Sequence, residues 1–123
     1  MRKAKIIKKI EKVAEANGWS VFHSGRFDEP GNLDFEFSQS TSMGQDFCVS
    51  CILSGNDPDT LLKDIRSGYD SFDPDEEAFL WIGPDGHGKN GAPYHIKDIV
   101  KDMEEADEMY KTLVEALENE FRS

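Results

Sequence analysis

No stretch of the sequence approaches the roughly 18 consecutive apolar residues of a membrane span, so none is expected. Cysteine is scarce as well. Cys48 and Cys51 are the only two, too few and too closely spaced to build a disulfide framework. Near the N-terminus, lysines interrupt the isoleucines, which leaves no apolar centre for a signal peptide. A cytoplasmic location is the expectation. Neither an internal repeat nor a low-complexity linker divides the 123 residues, a length that suits a single domain. Positive charge is in short supply too: 14 Lys and Arg face 25 Asp and Glu, for a net charge of −11. A chain this acidic repels nucleic acid over most of its surface, so direct binding to DNA or RNA is not expected.

The positive charge that exists gathers at one end. Residues 1–12 carry six cations against Glu11, a sum of +5, which leaves −16 on the remaining 111 residues. This small patch could be an exception to the repulsion of nucleic acid, but it sits in a strongly negative field and is expected rather to pair with the acidic body.

Apolar material is sufficient for a core: 37% of residues are hydrophobic and 11% aromatic, with eight Phe and two Trp. Ile6, Ile10, Val13 and Asn17 fall on one stripe and predict a helix over residues 3–17, stopped by Asn17-Gly18. Trp19, Val21 and His23 alternate with Ser20, Phe22 and Ser24 as a short strand. Leu33 to Ser38 alternates without a fault, and Phe47, Val49, Cys51 and Leu53 share one face of a third strand. Asp57-Pro58 opens a second helix, with Leu61, Leu62, Ile65 and Tyr69 as its buried stripe, and Asp73-Pro74 repeats the signal for about one turn. Phe79-Leu80-Trp81-Ile82 reads as a fourth, fully buried strand. Ile96, Ile99, Val100, Met103, Ala106, Tyr110, Leu113, Leu117 and Phe121 mark a last helix, continuous or broken near Met103. The expected fold is therefore α+β: an antiparallel sheet of three to four strands with helices on one face, in the order α-β-β-β-α-β-α.

Four constellations could carry chemistry. Cys48 and Cys51 form C-x-x-C, a redox or zinc spacing on a turn. Within a strand, residues three apart point to opposite faces, so structural thiols are expected. Gly86-His87-Gly88-Lys89-Asn90-Gly91 satisfies G-x-G-x-x-G, but the βαβ unit that a dinucleotide site requires is incomplete. Its amides with Lys89 could instead hold an anion or small ligand at the start of the following helix. Asp70, Asp73, Asp75, Glu76 and Glu77 lack the spacing of an EF-hand, and helix capping accounts for Asp73, Glu76 and Glu77, so no metal is expected. His23, His87 and His95 have no Ser or Cys partner at a recognisable motif spacing, and no cofactor is implied.

Finally, Asp98, Asp102, Glu105 and Glu108 recur at near-helical spacing along the last helix, off its apolar stripe. Such a row is either a solvated face or an array presented to a basic, nucleic-acid-binding protein.

The segment YDSFDPDEEAFLWIGPDGHGKNGAPYHIKDIVKDMEEADEM, with GQDF at Gly44–Phe47, resembles a group of small acidic proteins of phages and conjugative elements of gut bacteria. The resemblance covers roughly residues 44 to 118 and is clearest at Phe72–Trp81 and Asp85–Tyr94. Cys48 and Cys51 lie outside the shared pattern. The group brings no catalytic residues. What the resemblance implies is context: a cytosolic accessory protein of mobile DNA, a setting in which antagonists of host defence are common. A non-enzymatic protein that binds a protein partner is the expectation, with an anion or small-ligand module at Gly86–Gly91 as the alternative.

Overall fold

The computed structural model describes residues 2–26 and 28–122. Helix α1 (Lys3–Ala16) buries Ile6, Ile10 and Ala14 and ends as expected at Asn17 and Gly18. Gly18 takes φ of +87°, a conformation that favours glycine, and a Cβ there would also displace the end of the Gln39 side chain, 2.6 Å away. Three strands follow, β1 (Ser20–Gly25), β2 (Asn32–Ser40) and β3 (Asp46–Ser54), as an antiparallel meander in the order β1-β2-β3. Register aligns Val21 with Phe37 and Val49, and His23 with Phe35 and Cys51. These rows place Phe35, Phe37, Val49, Cys51 and Leu53 on the buried face. Phe22, Asp34, Glu36, Cys48 and Ser50 lie exposed on the other. The period-two alternation in the sequence is therefore the period of burial.

Helix α2 (Pro58–Asp70) starts where Asp57 accepts the Asp59 amide at 3.0 Å, with Pro58 in the first turn. Its Leu61, Leu62 and Ile65 join the sheet's buried face, α1 and the second half of α4 (Ile96–Arg122) in the main core. An aromatic cluster closes that core: Tyr110 lies 5.2 Å from Tyr69, 5.7 Å from Phe72 and 5.9 Å from Phe47, ring centre to ring centre.

The expected fourth strand is absent among the described residues; its place is taken by the end of a helix. Asp73 caps α3 (Pro74–Leu80) by accepting the Asp75 amide at 3.0 Å, and the helix then runs through Glu77 and buried Ala78. Phe79 and Leu80, expected in the core, stand 72% and 62% exposed. A short apolar run does not distinguish a strand from a helix end, and here the Asp-Pro start signal decided. The element order is consequently α-β-β-β-α-α-α. Trp81 and Ile82, half-buried beyond the helix, complete a second apolar cluster with Ala78, Ile99, Met103, Ala106 and part of Phe47. Helix α4 thus packs its first half on the second cluster and its second half on the main core. Supported along both halves, its 27 residues run unbroken past Met103 for about 40 Å.

Candidate functional site

The two halves of α4 differ in how their charges are met. In the second half, Glu118 receives a two-pronged contact from Arg66, 3.1 Å from Nε and 2.6 Å from Nη2, and lies 3.7 Å from Arg122. Glu120 lies 4.0 Å from Lys9 of α1, and Arg122 reaches Asp59 at 2.6 Å. Arg66 and Arg122 together hold the Glu118 carboxyl below its ordinary range, chiefly through the Arg66 hydrogen bonds. No such pairing reaches the first half. Among the described residues, no Lys or Arg lies within 4.0 Å of a carboxylate of Asp98, Asp102, Glu104, Glu105, Asp107 or Glu108. The same holds for Asp73, Asp75, Glu76 and Glu77 around the start of α3, which packs against this half of α4. Negative charge is thereby concentrated at the α3–α4 end. At the other end, Lys9 is the one cation of α1 in an ion pair among the described residues.

The four carboxylates singled out on α4 are not equivalent. Glu108 is exposed and Asp98 half-buried. Glu105 accepts the Ser42 amide at 2.7 Å and the Ser42 hydroxyl, which ties the β2–β3 turn to the helix. Asp102 corrects the sequence reading: far from lying on a solvated face, it is 2% exposed, and neither carboxylate oxygen has a hydrogen-bond partner. The reason is tertiary. Asp102 flanks the apolar stripe one turn from Ile99 and Ala106, and Ser42 and Met43 of the turn that Glu105 holds share its cleft. Helical spacing locates a residue on its own helix but does not reveal what another loop covers. Charge reversal at Asp102 or Glu105 would therefore disturb the fold. Beside these residues opens a cleft of about 320 Å³, lined by Ser42, Met43, Asp98, Lys101, Asp102 and Glu105.

The Gly86–Gly91 loop folds on itself. Gly86 and Gly91 adopt φ of +83° and +89°. A Cβ on Gly88 would stand 1.8 Å from the Pro93 carbonyl oxygen, so the backbone passes there without room for any side chain. The Gly86 amide donates to Gly83, the Gly88 amide to Tyr94 and the Lys89 amide to Trp81, at 2.8–3.1 Å. The His87 amide donates to the Asp85 side chain at 3.2 Å, and its ring stacks on Tyr94. Only the amides of Asn90 and Gly91 within the motif have no protein acceptor among the described residues. An anion-binding nest needs several convergent free amides, and this loop has spent most of them on its own shape. The element before it is a helix in a protein whose sheet is antiparallel, so no dinucleotide-binding unit surrounds it.

Cys48 is exposed and Cys51 buried, on opposite faces of β3. Burial pushes the Cys51 thiol far up, with the Asp64 charge adding to the effect. Among the described residues no three His, Cys, Asp or Glu side chains come close enough to hold a metal ion. Nor is any helix of the described residues long and apolar enough to cross a membrane.

Sequence reasoning missed Asp102 as a buried group and missed exposed Phe79 and Leu80, which border the acidic start of α3. A signal for the second pair was present, since Asp73-Pro74 predicts a helix and a longer helix turns those residues outward. Comparison with family models, curated proteins and solved structures returns no match.

Proposed function

We propose that this chain is a non-enzymatic binding module whose acidic α3–α4 end engages a basic surface of a protein partner. The observation that carries the reading is the partition of charge along α4. Glu118 and Glu120 of its second half are paired with Arg66, Arg122 and Lys9, whereas no carboxylate of the first half or of α3 has a Lys or Arg within 4.0 Å among the described residues, and Glu76, Glu104 and Glu108 stand exposed. Unmatched charge concentrated on one surface is what electrostatic steering requires. Phe79 and Leu80 stand exposed beside it and supply apolar contact area of the kind that anchors interfaces. The resemblance of residues 44 to 118 to small acidic proteins of phages and conjugative elements supports a cytosolic accessory role for mobile DNA. A host nuclease or DNA-binding protein is the partner class we favour, because its groove already selects arrays of negative charge.

The test uses positions that are exposed in the fold. Glu76→Lys, Glu104→Lys and Glu108→Lys together reverse the surface without touching Asp102 or Glu105. Wild type should retain a protein from host lysate at low salt and release it as salt rises. The triple variant should associate with the purified partner at least about tenfold more slowly. Equal, salt-insensitive recovery of the same proteins by both would overturn the proposal.

A further inference from the structure

The cleft beside Asp102 goes one step further, to the chemistry of the group it takes. A buried carboxylate with no donor is unfavourable, and a polar group in that state points to something that completes it. Asp102 is such a group, and its surroundings are built for polarity. The buried polar side chains of the described residues are Thr41 and Gln45, of the β2–β3 turn that Ser42 ties to α4, and Asp102. Both ends of the Gln45 side-chain amide also lack a partner. Asp98 and Glu105 line the cleft within one helical turn of Asp102 on either side.

The shape of the missing cation follows from what the carboxylates cannot do. They do not converge closely enough for a metal ion among the described residues. A planar guanidinium spreads its donors and can serve carboxylates that a point charge cannot serve together. Met43, 53% exposed on the rim, offers an apolar wall for the methylene stem of such a group. A volume of about 320 Å³ is at the small end for a ligand pocket and suits one long side chain. We propose that the cleft receives an arginine side chain of the protein partner, paired with Asp102 and flanked by Asp98 and Glu105. This rests on the function proposed above and names the residue type that the partner contributes. The Asp102 oxygens lie beneath the surface, so side chains lining the cleft must move to admit the guanidinium, and Met43 and Lys101 are the two long ones free to do so. Both are exposed, unbranched side chains at the mouth, so the movement is cheap. Lys101 is also a resident cation that competes with the incoming one.

N-acetylarginine amide is the probe, read by the methyl resonance of Met43 with Met103 and Met109 as internal references. The shift should be saturable in the millimolar range, several-fold weaker for N-acetyllysine amide, and absent for neutral N-acetylcitrulline amide. Asp102→Asn should weaken binding about tenfold, and Lys101→Met, which leaves the carboxylates in place, should tighten it. An unmoved Met43, an equal response to citrulline, or full binding by Asp102→Asn would overturn the inference. Arginine binding without any salt-sensitive partner would sink the proposed function and leave the cleft. Partner capture by a protein whose Met43 ignores arginine would do the reverse.

Discussion

The Tyr110 hydroxyl occupies the space that a side chain on Gly68 would need: a Cβ at Gly68 would stand 2.5 Å from the phenolic oxygen. Gly68 lies inside α2, where glycine costs a helix up to about 1 kcal/mol relative to alanine. The close approach of α2 to α4 explains why it is tolerated there. Tyr110 cannot step back, because Phe47, Tyr69 and Phe72 hold its ring from three directions.

Gly68→Ala should therefore destabilise the protein by about 1–3 kcal/mol despite the better helix former. The next Tyr110 atom, its ring carbon, lies 3.8 Å from the same Cβ, an ordinary contact. In a Tyr110→Phe background Gly68→Ala should thus become neutral or stabilising. Chemical denaturation of the four proteins of this cycle reads the change of sign directly. A penalty that persists in the Phe background would mean that the oxygen is not the obstacle.

Asp102 gives a second prediction. Replacing a buried carboxylate that has no partner should help folding, since the charged group forfeits its hydration on burial. Asp102→Leu should raise stability by about 1–2 kcal/mol, measured as a shift of the urea midpoint with an unchanged slope. Asp102→Lys should unfold the region where the β2–β3 turn meets α4. A stability loss in the leucine variant would show that the carboxylate is matched within the free protein.

The contact between Arg66 and Glu118 predicts a dependence on pH. Its carboxyl titrates below the ordinary value of 4.5, mainly because Arg66 donates to it. A depressed folded-state pKa stabilises the protein above the unfolded value and loses that contribution as pH falls through the folded one. Glu118→Gln should cost about 1 kcal/mol near neutrality, a modest figure because the pair is partly exposed. The gap between variant and wild type should close progressively below pH 4.5. A gap that stays constant in acid would assign the loss to packing.

Truncations separate true core aromatics from the exposed apolar pair. Phe35→Ala, at a site 1% exposed, should cost about 3–5 kcal/mol. Phe79→Ala and Leu80→Ala should each change stability by no more than about 0.5 kcal/mol, and both belong among the variants tested for partner capture. Large losses at these two positions would restore the strand that the sequence pattern implies.

Local chemistry was the legible part of this fold. Asp57-Pro58 and Asp73-Pro74 announce helices because a capping carboxylate and a fixed φ act within four residues. Alternation places Cys48 and Cys51 on opposite faces because a pleated strand leaves them no choice. What stayed hidden depends on distant partners. Asp102 shares its cleft with Ser42 and Met43, of a turn some sixty residues earlier in the chain, and no periodicity within α4 encodes such a neighbour. The exposure of Phe79 and Leu80 depends on how long α3 persists, and their apolar character argues for the wrong face. The acidic surface was visible as a row of carboxylates, but its division into matched and unmatched halves required Arg66, Arg122 and Lys9 to be seen in space.

The two apolar clusters under α4 have a consequence for how the protein breathes. Amide hydrogens around Leu113 and Leu117 sit over the larger cluster, shared with the sheet, α1 and α2. Those around Ile99 and Met103 sit over a cluster of only a few side chains, closed by a short helix and a loop. Regions with few buried apolar contacts open first, well below the free energy of complete unfolding. Exchange with solvent deuterium should run along one unbroken helix at two tempos, slow toward its C-terminus and fast toward its start. The surface proposed to meet a partner would then be the part of the molecule that yields most readily to the shape of what it binds.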